Sequence, residues 1–98
     1  MDKIESELQA AAAELLTSLR QGTGLDAGST DRLKNALRAA ARAWTDADAI
    51  SKSAANLFVD LASGIEACSY AYGGGDAKRI KGLADEVADL VRACVAVP

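Results

Sequence analysis

Between Thr30 and Tyr72 the chain runs without proline and with one glycine, Gly64. Leu33, Leu37, Ala40, Trp44 and Ala47 recur at spacings of four, three, four and three. Ile50, Ala54, Leu57, Leu61, Ile65, Cys68 and Tyr72 carry the same rhythm onward. Such spacing places apolar side chains along one face of an α-helix. An unbroken helix over this stretch would be about 60 Å long at 1.5 Å per residue, too long for a compact domain of this size. The charges also switch near its middle. Arg38 and Arg42 suit the C-terminal end of one helix, and Asp46 and Asp48 the N-terminal end of the next. Thr45 followed by Asp48 matches a short capping box. A break is therefore expected at Thr45 to Ala47; the rival is one long helix that buries its stripe against a second copy.

Ile4, Leu8, Ala11, Leu15 and Leu19 form an earlier stripe, with acids at its start and Arg20 at its end. Gly22 supplies the stop. The connection from Gly22 to Thr30 is rich in glycine and small polar residues and reads as a loop, with Leu25 folding back over the bundle end. Asp26, Ser29 and Asp31 do not have the spacing of an EF-hand calcium loop; Ser29 or Thr30 reads instead as the N-cap of the next helix. Gly64 reads as the mark of a close helix crossing. Gly73, Gly74 and Gly75 end the third helix, and Asp76 caps a fourth whose stripe is Ile80, Leu83, Ala84, Val87, Leu90, Val91 and Cys94. The expectation is an all-α protein: an up-down antiparallel four-helix bundle with helices over residues 2–21, 31–44, 46–72 and 76–95, in one domain spanning 1–98.

Composition supports this reading and thins the core. Half of the 98 residues are apolar, but many are alanine, and there is one Trp and one Phe. Small side chains let helices approach and fill little volume, so association with another copy would add burial. No run approaches the eighteen or so apolar residues of a membrane span. The opening Met-Asp-Lys-Ile-Glu lacks the apolar centre of a signal peptide. A cytoplasmic protein is expected. Antiparallel packing about the glycine turn would hold Cys68 and Cys94 about 20 Å apart, beyond disulfide reach, as reduced apolar residues.

Charge singles out one helix. Residues 32 to 45 hold four bases and no acid, against six acids and two bases in 1 to 31 and five acids and one base in 46 to 77. Lys34, Arg38 and Arg42 recur every four residues, with Arg32 near the helix start. Such a face can lie along a phosphate backbone. However, the chain as a whole is acidic, with a pI of about 4.8, and no aromatic residue interleaves to stack on bases. Pairing with neighbours such as Glu5, Glu14 or Asp60 accounts for the same residues. At the glycine turn, Lys78, Arg79 and Lys81 beside the amides of Gly74 and Gly75 could hold an anion; a plain turn with solvated lysines is the simpler account. Tyr70 and Tyr72 flank that turn and suit a protein contact, since Tyr and Arg are enriched in binding hot spots.

Chemistry is limited by what is missing. The chain has no histidine, which removes Ser-His and Cys-His nucleophile pairs and histidine metal ligands. It has no glycine-rich nucleotide motif. Asp85 and Asp89 share a helix face, which reads as solvated surface. No catalysis, cofactor or metal is expected. The functional expectation is a small non-catalytic protein-binding module (adaptor, inhibitor or regulatory subunit), with a homodimer among its expected forms, using Tyr70, Tyr72, Lys78 and Arg79 together with Arg32, Lys34, Arg38 and Arg42. The alternative is a nucleic-acid-associated regulator using the basic stripe.

Overall fold

The computed structural model describes residues 3–45, 47 and 49–95. Four helices, α1 (Lys3–Arg20), α2 (Ala27–Ala43), α3 (Lys52–Ser69) and α4 (Gly74–Val95), make an all-α four-helix bundle of 41 × 22 × 20 Å. The single-helix rival is excluded, because α2 and α3 are separate.

Among the described residues each helix packs on two others: α1 on α2 and α3, and α4 on α2 and α3. Side-chain contacts give the directions. Glu14 meets Ser29 and Arg32, so α1 and α2 are antiparallel. Glu5 meets Ser51 and Ser53, Leu16 lies beside Gly64, and Tyr72 reaches Leu19, so α1 and α3 are parallel. Lys34 meets Glu86 and Cys94 meets Leu37, so α2 and α4 are parallel too. The chain runs up, down, up, down as expected. Yet α2 and α3, consecutive in sequence, stand on opposite corners.

Helix ends differ from the expectation where side chains offer better partners. α1 stops at Gly22, whose φ of +80° suits glycine; its N–H donates to Leu19 O at 3.2 Å. α2 starts at Ala27 and not Asp31, because Asp26 is the N-cap and accepts the Ser29 N–H at 2.8 Å. Ser29, the expected cap, is buried within the helix.

α3 starts at Lys52 and not Asp46, with Ser51 Oγ accepting the Ala54 N–H at 3.0 Å. The Thr45 hydroxyl is not capping: it donates back to Ala41 O at 2.7 Å. The expected roles of Asp2, Asp46 and Asp48 at helix starts lie outside the described residues. α4 starts at Gly74, whose φ of +54° requires a residue without Cβ strain, and Asp76 lies within its first turn. Gly64 does not mark a close crossing inside the chain. A Cβ there would make only an ordinary contact, 3.8 Å from Leu16 Cδ2.

The core is the set of stripes brought together. Leu8, Leu15, Leu19, Leu33, Leu37, Leu61, Ile65, Ile80 and Val87 are fully buried, with Ala11, Ala12, Ala40 and Ala54 between them. Leu25, Trp44 and Ile50 lie half-buried against this core from the connections, and the Trp44 ring meets Phe58 edge-on with centroids 6.2 Å apart. No helix among the described residues is long and apolar enough to cross a membrane.

Cys68 and Cys94 are both free. The Cys94 thiol is buried, donates to Leu37 O at 3.3 Å, and is pushed up to about 11 by burial. Iodoacetamide at pH 8 should therefore modify the half-buried Cys68 in the native protein and Cys94 only after denaturation. Mass spectrometry of the labelled peptides would show this, and equal labelling of both would contradict the packing of α4 on α2.

Candidate functional site

Two of the four bases of the α2 stripe are paired within the bundle. Arg32 Nε lies 2.6 Å from Glu7 Oε1 and its second amino group 3.1 Å from Glu7 Oε2, while the third nitrogen pairs with Glu14. This clasp holds the Arg32 proton more firmly than usual and draws Glu7 below its ordinary range, the hydrogen bond from Arg32 being the main cause. Lys34 Nζ pairs with Glu86 at 3.0 Å, fastening α2 to α4. Arg38 lies 3.3 Å from the Asn35 side-chain oxygen. Arg38 and Arg42 are the two exposed bases of the stripe that make no ion pair among the described residues. Among the described residues, Glu14 is the expected acidic partner that pairs with the stripe. Glu5 is buried and takes the hydroxyls of Ser51 and Ser53, and Asp60 sits on α3, the corner opposite α2.

At the α3–α4 turn the expected residues separate into two roles. Tyr72 is half-buried, and its hydroxyl donates to Leu19 O at 2.8 Å and accepts the Gly24 N–H at 3.1 Å. It ties the end of α3 to the end of α1 and the loop beyond. Tyr70 is 74% exposed, with Lys81 Nζ 5.1 Å above its ring. Arg79 pairs with Asp76 one turn away, and Lys78 is exposed. The cations around Gly74 and Gly75 are thus partly engaged with neighbours on their own turn. Asp85 and Asp89 are exposed, Asp89 pairing with Arg92, and no group of metal-ligating side chains converges among the described residues.

One concave feature is absent from the sequence reading. Between the parallel helices α1 and α3 runs an open groove of about 660 Å³. Leu61 is buried at its base, beside half-buried Leu16, Leu57 and Gly64. Its walls are polar: Gln9 and Arg20 from α1, and Ser53, Asn56, Asp60 and Ser63 from α3. Gln9 Nε2 reaches Ser53 O at 3.4 Å near one end. Ala10, Ala13 and Thr17 leave the exposed side of α1 low and smooth, and Val59, 76% exposed, stands on the outer edge of α3. An apolar base between polar walls, without converging titratable groups, suits the side chains of another polypeptide better than it suits catalysis. The sequence signal available for it was the pairing of an alanine-rich α1 surface with a mid-helix glycine.

Comparison of the chain with protein-family models, with curated proteins and with solved structures gives no match.

Two predictions follow from the internal contacts. Tyr72→Phe removes one of the two donors to Leu19 O, which keeps the Gly22 N–H, and leaves the Gly24 N–H without its acceptor; it should lower the unfolding free energy by about 1 kcal/mol in urea titration. An unchanged midpoint would show that this bridge contributes nothing. Asp26, stabilised first by the Ser29 N–H and then by the Ser29 hydroxyl, is also drawn below its ordinary range. For Asp26 and Glu7 the unfolded chain binds more protons between the folded value and the ordinary values of 3.8 and 4.5. Their contribution is complete above that window and is lost as pH falls through the folded values. The urea midpoint should fall on acidification below about pH 5, and Arg32→Gln should make that fall shallower. An unchanged slope would remove Arg32 as its cause.

Proposed function

We propose that this chain is a small non-catalytic protein-binding module, an adaptor, inhibitor or regulatory subunit working in the cytoplasm, and that its working surfaces are the α1–α3 groove and the exposed Val59 and Tyr70. The observation that carries this reading is the groove itself, an apolar base within reach of solvent and a rim of hydrogen-bonding side chains. Exposed Tyr70 supplies a rigid aromatic contact beside Lys81 at one end of the molecule. The two free cysteines, one of them buried, fit a reducing compartment.

The basic stripe now weighs less toward nucleic acid than it does in the sequence. Arg32 and Lys34 are neutralised by Glu7, Glu14 and Glu86, which leaves Arg38 and Arg42, too few for a phosphate-tracking surface in an acidic chain.

The test is affinity capture with tagged protein from lysate of the source cell, with and without nuclease, using wild type, Tyr70→Ala, Asn56→Arg and Arg38→Glu/Arg42→Glu. Capture of a defined protein that survives nuclease and is lost with Tyr70→Ala or Asn56→Arg is the expected result. Recovery that vanishes with nuclease and with the paired α2 reversals would overturn the proposal in favour of the nucleic-acid reading.

A further inference from the structure

We infer that the α1–α3 groove takes an amphipathic α-helix of a partner protein, about four turns long, with an acid and a base two turns apart beside its apolar face. The inference rests on the binding-module reading and names the class of partner.

The backbone of the groove selects a helix. Both walls are helices, and along their length the main-chain groups are spent on hydrogen bonds within α1 and α3. An extended segment laid between them would have its own N–H and C=O groups covered without partners, at a cost in free energy. A helix satisfies those groups internally and offers apolar side chains at i, i+4 and i+7. Leu57, Leu61, Leu16 and Gly64 form the floor that receives them. From Ser53 to Ala67 the α3 wall covers about 21 Å at 1.5 Å per residue, the length of a four-turn helix.

Charge narrows the partner further. Arg20 and Asp60 are the charged residues of the lining, and the remaining polar walls, Gln9, Ser53, Asn56 and Ser63, are neutral. Both are exposed, and neither is ion-paired among the described residues, in contrast to Arg32 and Lys34. The contact of Leu16 with Gly64 sets the register of the two walls. Arg20 lies one turn beyond Leu16 on α1, and Asp60 one turn before Gly64 on α3. Because α1 and α3 run parallel, the two charged positions are about 12 Å apart along the groove. That is seven or eight residues of a helix lying in it. An acid and a base at this separation meet Arg20 and Asp60 together, whereas two charges of one sign would set one of them against its like.

Gly64 fits the same occupant. Nothing inside the chain demands a glycine there, since a Cβ would meet only Leu16 at 3.8 Å, and glycine in a helix interior costs about 1 kcal/mol relative to alanine. In the floor of the groove the missing side chain leaves room for a large apolar side chain of the partner. Ala10, Ala13 and Thr17 keep the α1 side low enough for the partner backbone to come close.

Three synthetic four-turn peptides test this, each held helical by a hydrocarbon staple on its outer face. They share leucines at i, i+4 and i+7 and differ at two flanking positions seven residues apart, which carry Glu and Lys, two Glu, or two Lys. Binding to the full chain is read by fluorescence anisotropy, with circular dichroism to verify folding of each protein variant. Wild type should bind the Glu and Lys peptide about fivefold or more tightly than the other two. Asp60→Arg should move the preference to the peptide with two Glu, and Arg20→Asp to the one with two Lys. Gly64→Leu should fold and weaken binding of all three about tenfold. Binding indifferent to the flanking charges or to Gly64→Leu, or no binding of any peptide, would overturn the inference. The capture experiment separates the two levels. If the peptides fail while a defined protein is still captured and lost with Asn56→Arg, the helical partner alone is overturned; if both fail, the binding-module reading goes with it.

Discussion

The connection between α2 and α3 sets the geometry of the whole bundle. Because it runs from one corner to the opposite one, α1 lies beside α3 pointing the same way, and α2 beside α4. Parallel neighbours place like ends of their macrodipoles together, an unfavourable arrangement of a few tenths of a kcal/mol unless charge compensates. Here it does. The buried Glu5 carboxylate lies in the first turn of α1 and takes the hydroxyls of Ser51 and Ser53 at the start of α3. Its carboxyl oxygens accept hydrogen bonds between two helix starts, a setting in which burying the group is tolerable. At the same end of the molecule α2 and α4 finish, with Arg42 and Arg92 in their last turns.

A core built from ten large aliphatic side chains, Phe58 and interspersed alanines leaves little surplus burial, so the polar fastenings matter more than their number suggests. The Arg32 clasp joins α1 to α2, Lys34–Glu86 joins α2 to α4, and Tyr72 closes the far end. Exposed pairs of this kind contribute little to stability individually, but they discriminate between alternative pairings of four similar stripes. Side-chain charge thus serves to select which helices become neighbours, and the basic helix that resembles a ligand surface in the sequence is mostly used for that.

Helix existence and faces were legible because periodicity records burial directly. Boundaries were less so, for a physical reason visible at Trp44 and Ile50. Both lie outside the helices yet pack on the core, so the apolar rhythm continues through a segment whose backbone is not helical. Ser51, the cap of α3, stood in the sequence as an ordinary serine on the polar face of a longer helix. Asp26 lay behind a helical glycine, Gly28, that reads as loop. Beyond Glu14, ion-pair partners could not be read without adjacency: Glu7 and Glu86 face α2 only because α1 and α4 are its neighbours, and Asp60 fails to because α3 is not. The groove follows from the same adjacency and was equally hidden.

Each half of the molecule, α1 with α2 and α3 with α4, is an antiparallel pair closed by a short turn, and residues 45 to 50 are the only covalent link between them. The contacts within each pair are closer in sequence, whereas the parallel contacts join residues about fifty positions apart and close only when the halves meet. A break in the link would leave every helix and both turns intact and would cost the high effective concentration of one half around the other. The protein is therefore organised as two pieces held in one chain, and the natural place to divide it into complementing fragments is that link.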